Sequence, residues 1–141
     1  MAISNYQQLL VWQNGMDLVR QVYCLTRDFP KHETFGLTSQ MQRAAISVPA
    51  NIAEGHTRGT TKEFLRFVTI AHGSLAELET LFLAAADLHY LDLEQLTRLT
   101  QLTEATGRML GALRRSLAGR LKSQRLRKQA PRSPNPKSPN P

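Results

Sequence analysis

Four runs of apolar residues, each stepping by three or four positions and each with a helix-starting signal or turn ahead of it, constrain this chain to an all-α fold. In the first run Ser4 and Gln7 have the spacing of a capping box, and Leu9, Leu10, Met16, Val19, Val22 and Tyr23 supply an apolar face up to Phe29 and Pro30. After the turn-like KHETFG, the second run is Leu37, Met41, Ala44, Val48 and Ile52, ending near Gly55 to Gly59. Thr60 and Glu63 make another box ahead of Phe64, Phe67, Val68, Ala71, Leu75, Leu78 and Phe82, a run that reaches about His89. Asp92 and Gln95 make the third, before Leu96, Leu99, Leu102, Met109, Leu113, Leu117 and Leu121. No segment shows the period of two that a half-buried strand requires.

Helices of roughly 20 to 30 residues, each about 30 to 45 Å long and joined by short connections, predict an antiparallel up-down-up-down four-helix bundle over residues 1–121. A hydrophobic content of 41% supports a core of that size, and the 6% aromatic content makes it an aliphatic one. Residues 122–141 read as a basic, proline-rich tail. Its last stretch, PRSPNPKSPNP, holds five of the seven prolines and no large apolar side chain, so disorder is expected there: nothing can be buried to offset the ordering entropy.

The net charge of +7 is unevenly distributed. Residues 1–110 hold nine bases against all eleven acids, a balance of −2, whereas residues 111–141 hold the other nine bases and no acid, +9. Arg114, Arg115, Arg120, Lys122, Arg125, Arg127, Lys128 and Arg132 fall within nineteen residues, and the leucines at 113, 117 and 121 leave the first of them on the outer face of helix four. These residues are the candidate contacts to RNA or DNA, giving affinity through phosphates without sequence readout. No aromatic residue is interleaved, so base stacking from this segment is not expected. The competing reading is a solvated, solubilising tail.

Little points to catalysis, and no cofactor or metal is expected. A di-iron bundle needs Glu-x-x-His on facing helices, and the residues three positions after each glutamate are Gly36, Thr57, Arg66, Thr80, Phe82, Thr97 and Gly107, never histidine. His32, His56, His72 and His89 are scattered and read as surface or internally satisfied residues, and there is no phosphate loop or glycine-rich dinucleotide fingerprint. Cys24, the one cysteine, excludes an internal disulfide and reads as a small core hydrophobe. With no leader-like opening, and with the apolar Leu81 to Leu88 too short and too closely flanked by acids to span a bilayer, a cytoplasmic protein without membrane contact is expected.

The second helix carries a polar stripe beside its apolar one: Gln40, Arg43, Ser47, Asn51 and Glu54. Helix three offers Glu63, Arg66, Gly73 or Ser74, and Glu77. In an antiparallel hairpin turning near residue 60, facing residue numbers sum to about 120, which sets Arg43 against Glu77, Glu54 against Arg66, and Ser47 against Gly73. The stripe is therefore read as mainly structural, with charge pairs fixing register and a glycine allowing close approach. Pro49, mid-helix, removes one amide donor, so a kink or local widening is expected, with Asn51 or Ser47 serving the freed carbonyl of Ala45.

The pattern running from YQQLLVWQNGMDL through FPKHETFGLTSQMQRAAISVPANIAEG to KEFLRFVTIAHGSLAELET and LHYL closely resembles the proteins encoded in intervening sequences of bacterial 23S ribosomal RNA genes, a family that includes the accessory variability proteins of diversity-generating retroelements. The resemblance covers about residues 5–118 and implies a four-helix bundle assembling into a homopentameric ring. For the retroelement branch it implies a reverse transcriptase and nucleic acid as partners. The family-motif positions are Arg43, Ser47, Asn51, Glu54, Gly55, Ser74 and Glu77, with no catalytic role implied, and the long basic extension is a departure from the pattern. The expected function is that of a non-enzymatic, oligomeric nucleic-acid-binding accessory protein, with a reverse transcriptase as a candidate partner; the alternative is a structural or protein-interaction bundle whose tail has no nucleic-acid role.

Overall fold

The computed structural model describes residues 5–131. Four α-helices, α1 (Leu10–Thr26), α2 (Leu37–Thr57), α3 (Thr61–Asp87) and α4 (Leu93–Gln129), pack as an up-down-up-down bundle, with single 3₁₀ turns at Tyr6–Gln8 and Lys31–Glu33. Two of the three boxes read from the sequence cap their helices: the Thr60 hydroxyl accepts from the Glu63 amide, and Asp92 and Gln95 cap each other reciprocally. The first lies partly outside the described residues, because Ser4 is not among them; there Asn5 caps the 3₁₀ turn, Leu9 is extended, and α1 begins only at Leu10.

The turns follow from local chemistry. Gly59, with φ of 84°, supplies the left-handed residue between α2 and α3. α3 ends in a Schellman motif: His89 takes φ of 62°, its amide bonds to the Ala86 carbonyl, and the Tyr90 amide bonds to that of Ala85.

The core is aliphatic. Met41, Val48 and Ile52 of α2 and Val68, Leu75, Leu78 and Phe82 of α3 interlock with Leu18 and Val22 of α1 and with Leu99, Leu110 and Leu117 of α4. The face of α1 differs from the expected one. Its inward stripe is Val11, Gly15, Leu18, Val22 and Thr26, while Leu10, Tyr23 and Cys24 are exposed, so Cys24 is not a core residue. Gly15 sits on that stripe because a side chain there would meet Pro49, 3.2 Å from an added Cβ, so α1 and α2 cross where both are narrow. On α4 the inward stripe includes Thr103 and Thr106, whose hydroxyls donate to the carbonyls of Thr100 and Leu102 and so enter the core already satisfied.

α2 runs unbroken through Pro49, and the Asn51 amide serves the carbonyl of Ser47, at 2.7 Å, instead of that of Ala45. Helix four exceeds its expected length: residues 122–129, read as the start of the tail, continue α4 to Gln129, and the Gln124 side chain donates to the Thr61 hydroxyl. Nothing in LKSQRLRKQ breaks a helix, and its long basic side chains have good helix propensity. Of the segment expected to be disordered, all but Pro131 lies outside the described residues.

α3 as a whole carries an 18-residue window with mean hydropathy 1.2, long and apolar enough by length and composition to cross a membrane, which the shorter Leu81 to Leu88 segment is not. In the bundle its apolar side, from Phe67 to Ala85, is core.

Candidate nucleic-acid interface

Hydrophobic order in α4 determines where its bases point. The last fully buried residue is Leu117; from Ala118 to Pro131 every side chain is exposed except that of Leu121, which is half-buried. Arg115, Arg120, Lys122, Arg125, Arg127 and Lys128 are exposed and Arg114 is half-buried, whereas Arg132 lies outside the described residues. At 3.6 residues per turn these bases divide into two sides. Arg114, Arg115, Arg125 and Lys128 line the seam with α3, while Arg120 and Arg127, seven residues apart, share another face.

Among the described residues the ion pairs are Arg58 to Glu54 at 2.9 Å and Arg66 to Glu63 at 3.4 Å, both within one helix. None of the seven described bases on the C-terminal half of α4 has a carboxylate at ion-pairing distance. Their charge is therefore available to an external polyanion.

The α3–α4 seam opens into two depressions. One, of about 440 Å³, lies between Thr69 and His72 on α3 and Gly111, Arg114 and Arg115 on α4. The other, of about 470 Å³, lies among Thr61, Lys62, Gln124, Arg125 and Lys128. His72, Lys62 and Gly111 are not singled out by the sequence as site residues. Hairpin arithmetic for the turn near residue 90, where facing numbers sum to about 180, sets His72 level with residue 108, six positions short of Arg114, so register alone does not find this site. Burial, and secondarily the Arg114 charge, push the His72 imidazole below its ordinary pKa, with Glu79 pulling weakly the other way.

The α2–α3 stripe is assembled only in part. Ser47 and Ser74 meet at 2.8 Å, and because Ser74 donates to the Ile70 carbonyl, the hydroxyl proton between them comes from Ser47, which in turn accepts from the Asn51 amide. The pairs Arg43 with Glu77 and Glu54 with Arg66 do not form, although the register that suggested them is correct. All four side chains are exposed, where a long-range pair offers little over a local one: Glu54 takes Arg58 and Arg66 takes Glu63. The guanidiniums of Arg58 and Arg66 both lie 5.2 Å from the centre of the Phe67 ring. The close approach expected at Gly73 occurs instead at Gly55, where an added Cβ would lie 2.6 Å from that of Phe67; Gly73 faces open space.

A further cavity of about 630 Å³ separates α1 from α4, with Leu25, Leu99 and Leu102 at its floor and Cys24, Asp28 and Arg98 at its rim. Among the described residues no three His, Cys, Asp or Glu side chains are grouped to hold a metal ion.

In structure the chain is similar to a crystal structure, at 1.70 Å resolution, of a protein of unknown function from the S23 ribosomal protein family of Bacteroides thetaiotaomicron VPI-5482, with a TM-score of 0.70 and 18% identity over 74% of this chain and 98% of that one. That likeness establishes the fold. No curated protein matches the sequence. The family profile of the 23S rRNA-intervening sequence protein matches residues 7–112, which take in α1 to α3 and α4 as far as the residues just before Arg114. The chain belongs to the 23S rRNA intervening-sequence protein family.

Proposed function

We propose that this chain is a non-enzymatic, oligomeric nucleic-acid-binding protein that uses the C-terminal half of α4 to hold the phosphate backbone of RNA or DNA. The observation that carries the reading is the set of seven bases, Arg114, Arg115, Arg120, Lys122, Arg125, Arg127 and Lys128, displayed on one helix with no carboxylate at ion-pairing distance among the described residues. Arg132 extends the same run of charge. Such a surface binds by releasing condensed counterions, and it binds without reading bases.

The resemblance to retroelement accessory proteins supports two further parts of the proposal: a homopentameric assembly, and a reverse transcriptase as protein partner. Five copies of α4 in one assembly would multiply a weak contact into a useful one. A protein-interaction role, in which the basic segment is only solubilising, has one observation in its favour. Phe35 is 97% exposed and Leu93 79% exposed, both at the end of the bundle away from the basic segment.

The test is binding of labelled RNA and DNA across a salt series by the full chain and by a variant with Arg120, Lys122, Arg125, Arg127 and Lys128 all changed to Gln, with mass measured by light scattering. The proposal expects salt-sensitive binding by the wild type, and a log–log slope shallower in the variant by about 0.9 for each phosphate that is no longer neutralised. Equal affinity in the two proteins would reject it in favour of the interaction scaffold.

A further inference from the structure

Two guanidinium groups and an imidazole come together over Gly111. The Arg114 Nη1 lies 3.2 Å from His72 Nδ1. A guanidinium only donates, so Nδ1 is the acceptor and carries no proton. A Cβ added at Gly111 would lie 3.4 Å from the Arg115 Nη1 and 3.9 Å from the His72 Cε1, so Arg115 folds back across the glycine toward the same imidazole. Leu65, Thr69 and Ala118 line the remainder of the 440 Å³ depression.

Among the described residues neither arginine has a carboxylate at ion-pairing distance. The acid that acts on the imidazole, Glu79, lies two turns along α3 and does so only through its field. Two like charges lining one depression, with no counter-charge paired to them among the described residues, repel each other. An oxyanion between them would replace that repulsion with charge-assisted hydrogen bonds, and the planar donor fork of arginine suits phosphate geometry. The second depression, with Lys62, Arg125 and Lys128, continues the same seam; Arg125 follows Arg114 by three helical turns, about 16 Å. A ligand with repeated phosphates uses both depressions, whereas a single carboxylate uses only one.

We infer that His72, Arg114, Arg115 and Gly111 form a phosphate-binding pocket at the α3–α4 seam that seats one phosphate of a nucleic-acid strand, with His72 as a positioning residue that aims Arg114. This deepens the nucleic-acid reading and rests on it for the identity of the ligand. Gly111 keeps the pocket open, because a larger side chain there occupies the space the phosphate needs.

The experiment uses the full chain and two probes. Inorganic phosphate, titrated against chloride at constant ionic strength, is followed through the NMR signals of the His72 imidazole and the Arg114 and Arg115 side chains. A labelled RNA oligonucleotide reports affinity. The informative variant is Gly111→Leu, which fills the pocket without changing charge, with thermal melting to confirm its fold. It should abolish the phosphate-induced shifts and weaken oligonucleotide binding about tenfold, as should Arg115→Gln, the worth of one charge-assisted hydrogen bond. Arg127→Gln, which removes a charge away from the seam, should cost markedly less. His72→Ala should weaken binding, and His72→Asn, which returns an acceptor near Nδ1, should restore most of it.

If Gly111→Leu binds like wild type and Arg115→Gln costs no more than Arg127→Gln, the charge acts diffusely and the pocket is refuted while nucleic-acid binding survives. If phosphate shifts His72 but no oligonucleotide binds, the pocket holds as an anion site and the nucleic-acid reading fails. Should Gly111→Leu not fold, the phosphate titration of the wild type and the Arg115→Gln comparison decide the matter.

Discussion

The two seams on either side of α3 use charged residues in opposite ways. Toward α2, the charged side chains stay outside, Glu54 and Arg66 taking near neighbours in sequence, while the interface closes with Gly55 against Phe67 and a relay of hydroxyls from Ser47 to Ser74. Toward α4, guanidiniums converge on an imidazole without a carboxylate, and the seam is left open in two depressions. The first seam is built for packing and register. The second sacrifices packing for a concentration of unneutralised charge, which is the expected trade where a site must receive a ligand.

Glycine substitutions test that contrast most severely, because the same change should have opposite signs at the two seams. Gly55→Val should cost about 1 to 3 kcal/mol or more by overpacking, since its Cβ would fall 2.6 Å from that of Phe67 and something in the core must move. Even Gly55→Ala should destabilise despite the gain in helix propensity. Gly73→Ala, which meets nothing within 4 Å, should stabilise by about 0.5 to 1 kcal/mol, and Gly111→Ala by a similar amount, since its Cβ would meet the end of Arg115 only at 3.4 Å. Urea midpoints decide it: a stabilising Gly55→Ala would mean the α2–α3 seam is looser than described.

The hydroxyl relay is the next most sensitive element. Ser47→Ala leaves the Ser74 hydroxyl and the Asn51 amide short of a partner, and should cost about 1 kcal/mol. Ser74→Ala should cost a similar amount, and the double variant less than their sum, because the two residues share one bond. Strict additivity in a denaturation cycle would show that the relay is not a unit.

How far these seams are legible in the sequence depends on residue type. The helices, their caps at Thr60 and Asp92, and the α2–α3 register to within one residue follow from local spacing, although the partner of Ser47 is Ser74 and not the Gly73 expected. The face of α1 is hidden because Gly15 and Thr26 occupy inward positions and carry no apolar signal, while Tyr23 and Cys24 do and point outward. The ion pairs are hidden because register says which residues are level, not whether exposed charges prefer a neighbour three or four positions away. The bases of α4 are legible as composition. Their convergence with His72 is not, since it depends on how Arg115 folds over Gly111.

The charge pair that the α2–α3 register suggests gives a small and sharp test. Arg43→Glu and Glu77→Arg should each change stability by less than about 0.5 kcal/mol, as exposed charges without a partner do, and the double variant should show no rescue. A coupling clearly above that level would restore an interhelical pair and narrow the difference between the two seams.

The slightest effect is a pH dependence located at His72. Burial first, and the Arg114 charge second, hold its imidazole below the ordinary histidine value, against an opposing pull from Glu79. Arg114 and Arg115 face it from α4. With the folded pKa depressed, the unfolded chain takes up a proton first as pH falls, so this residue lowers stability from about pH 6.5 downward, until the folded state also protonates. His72→Asn, which cannot titrate but can still accept from Arg114, should lose less stability than wild type between pH 8 and pH 5. Parallel pH profiles for the two proteins would mean that His72 is not held neutral by its surroundings, and that the α3–α4 seam is less strongly charged than the one described.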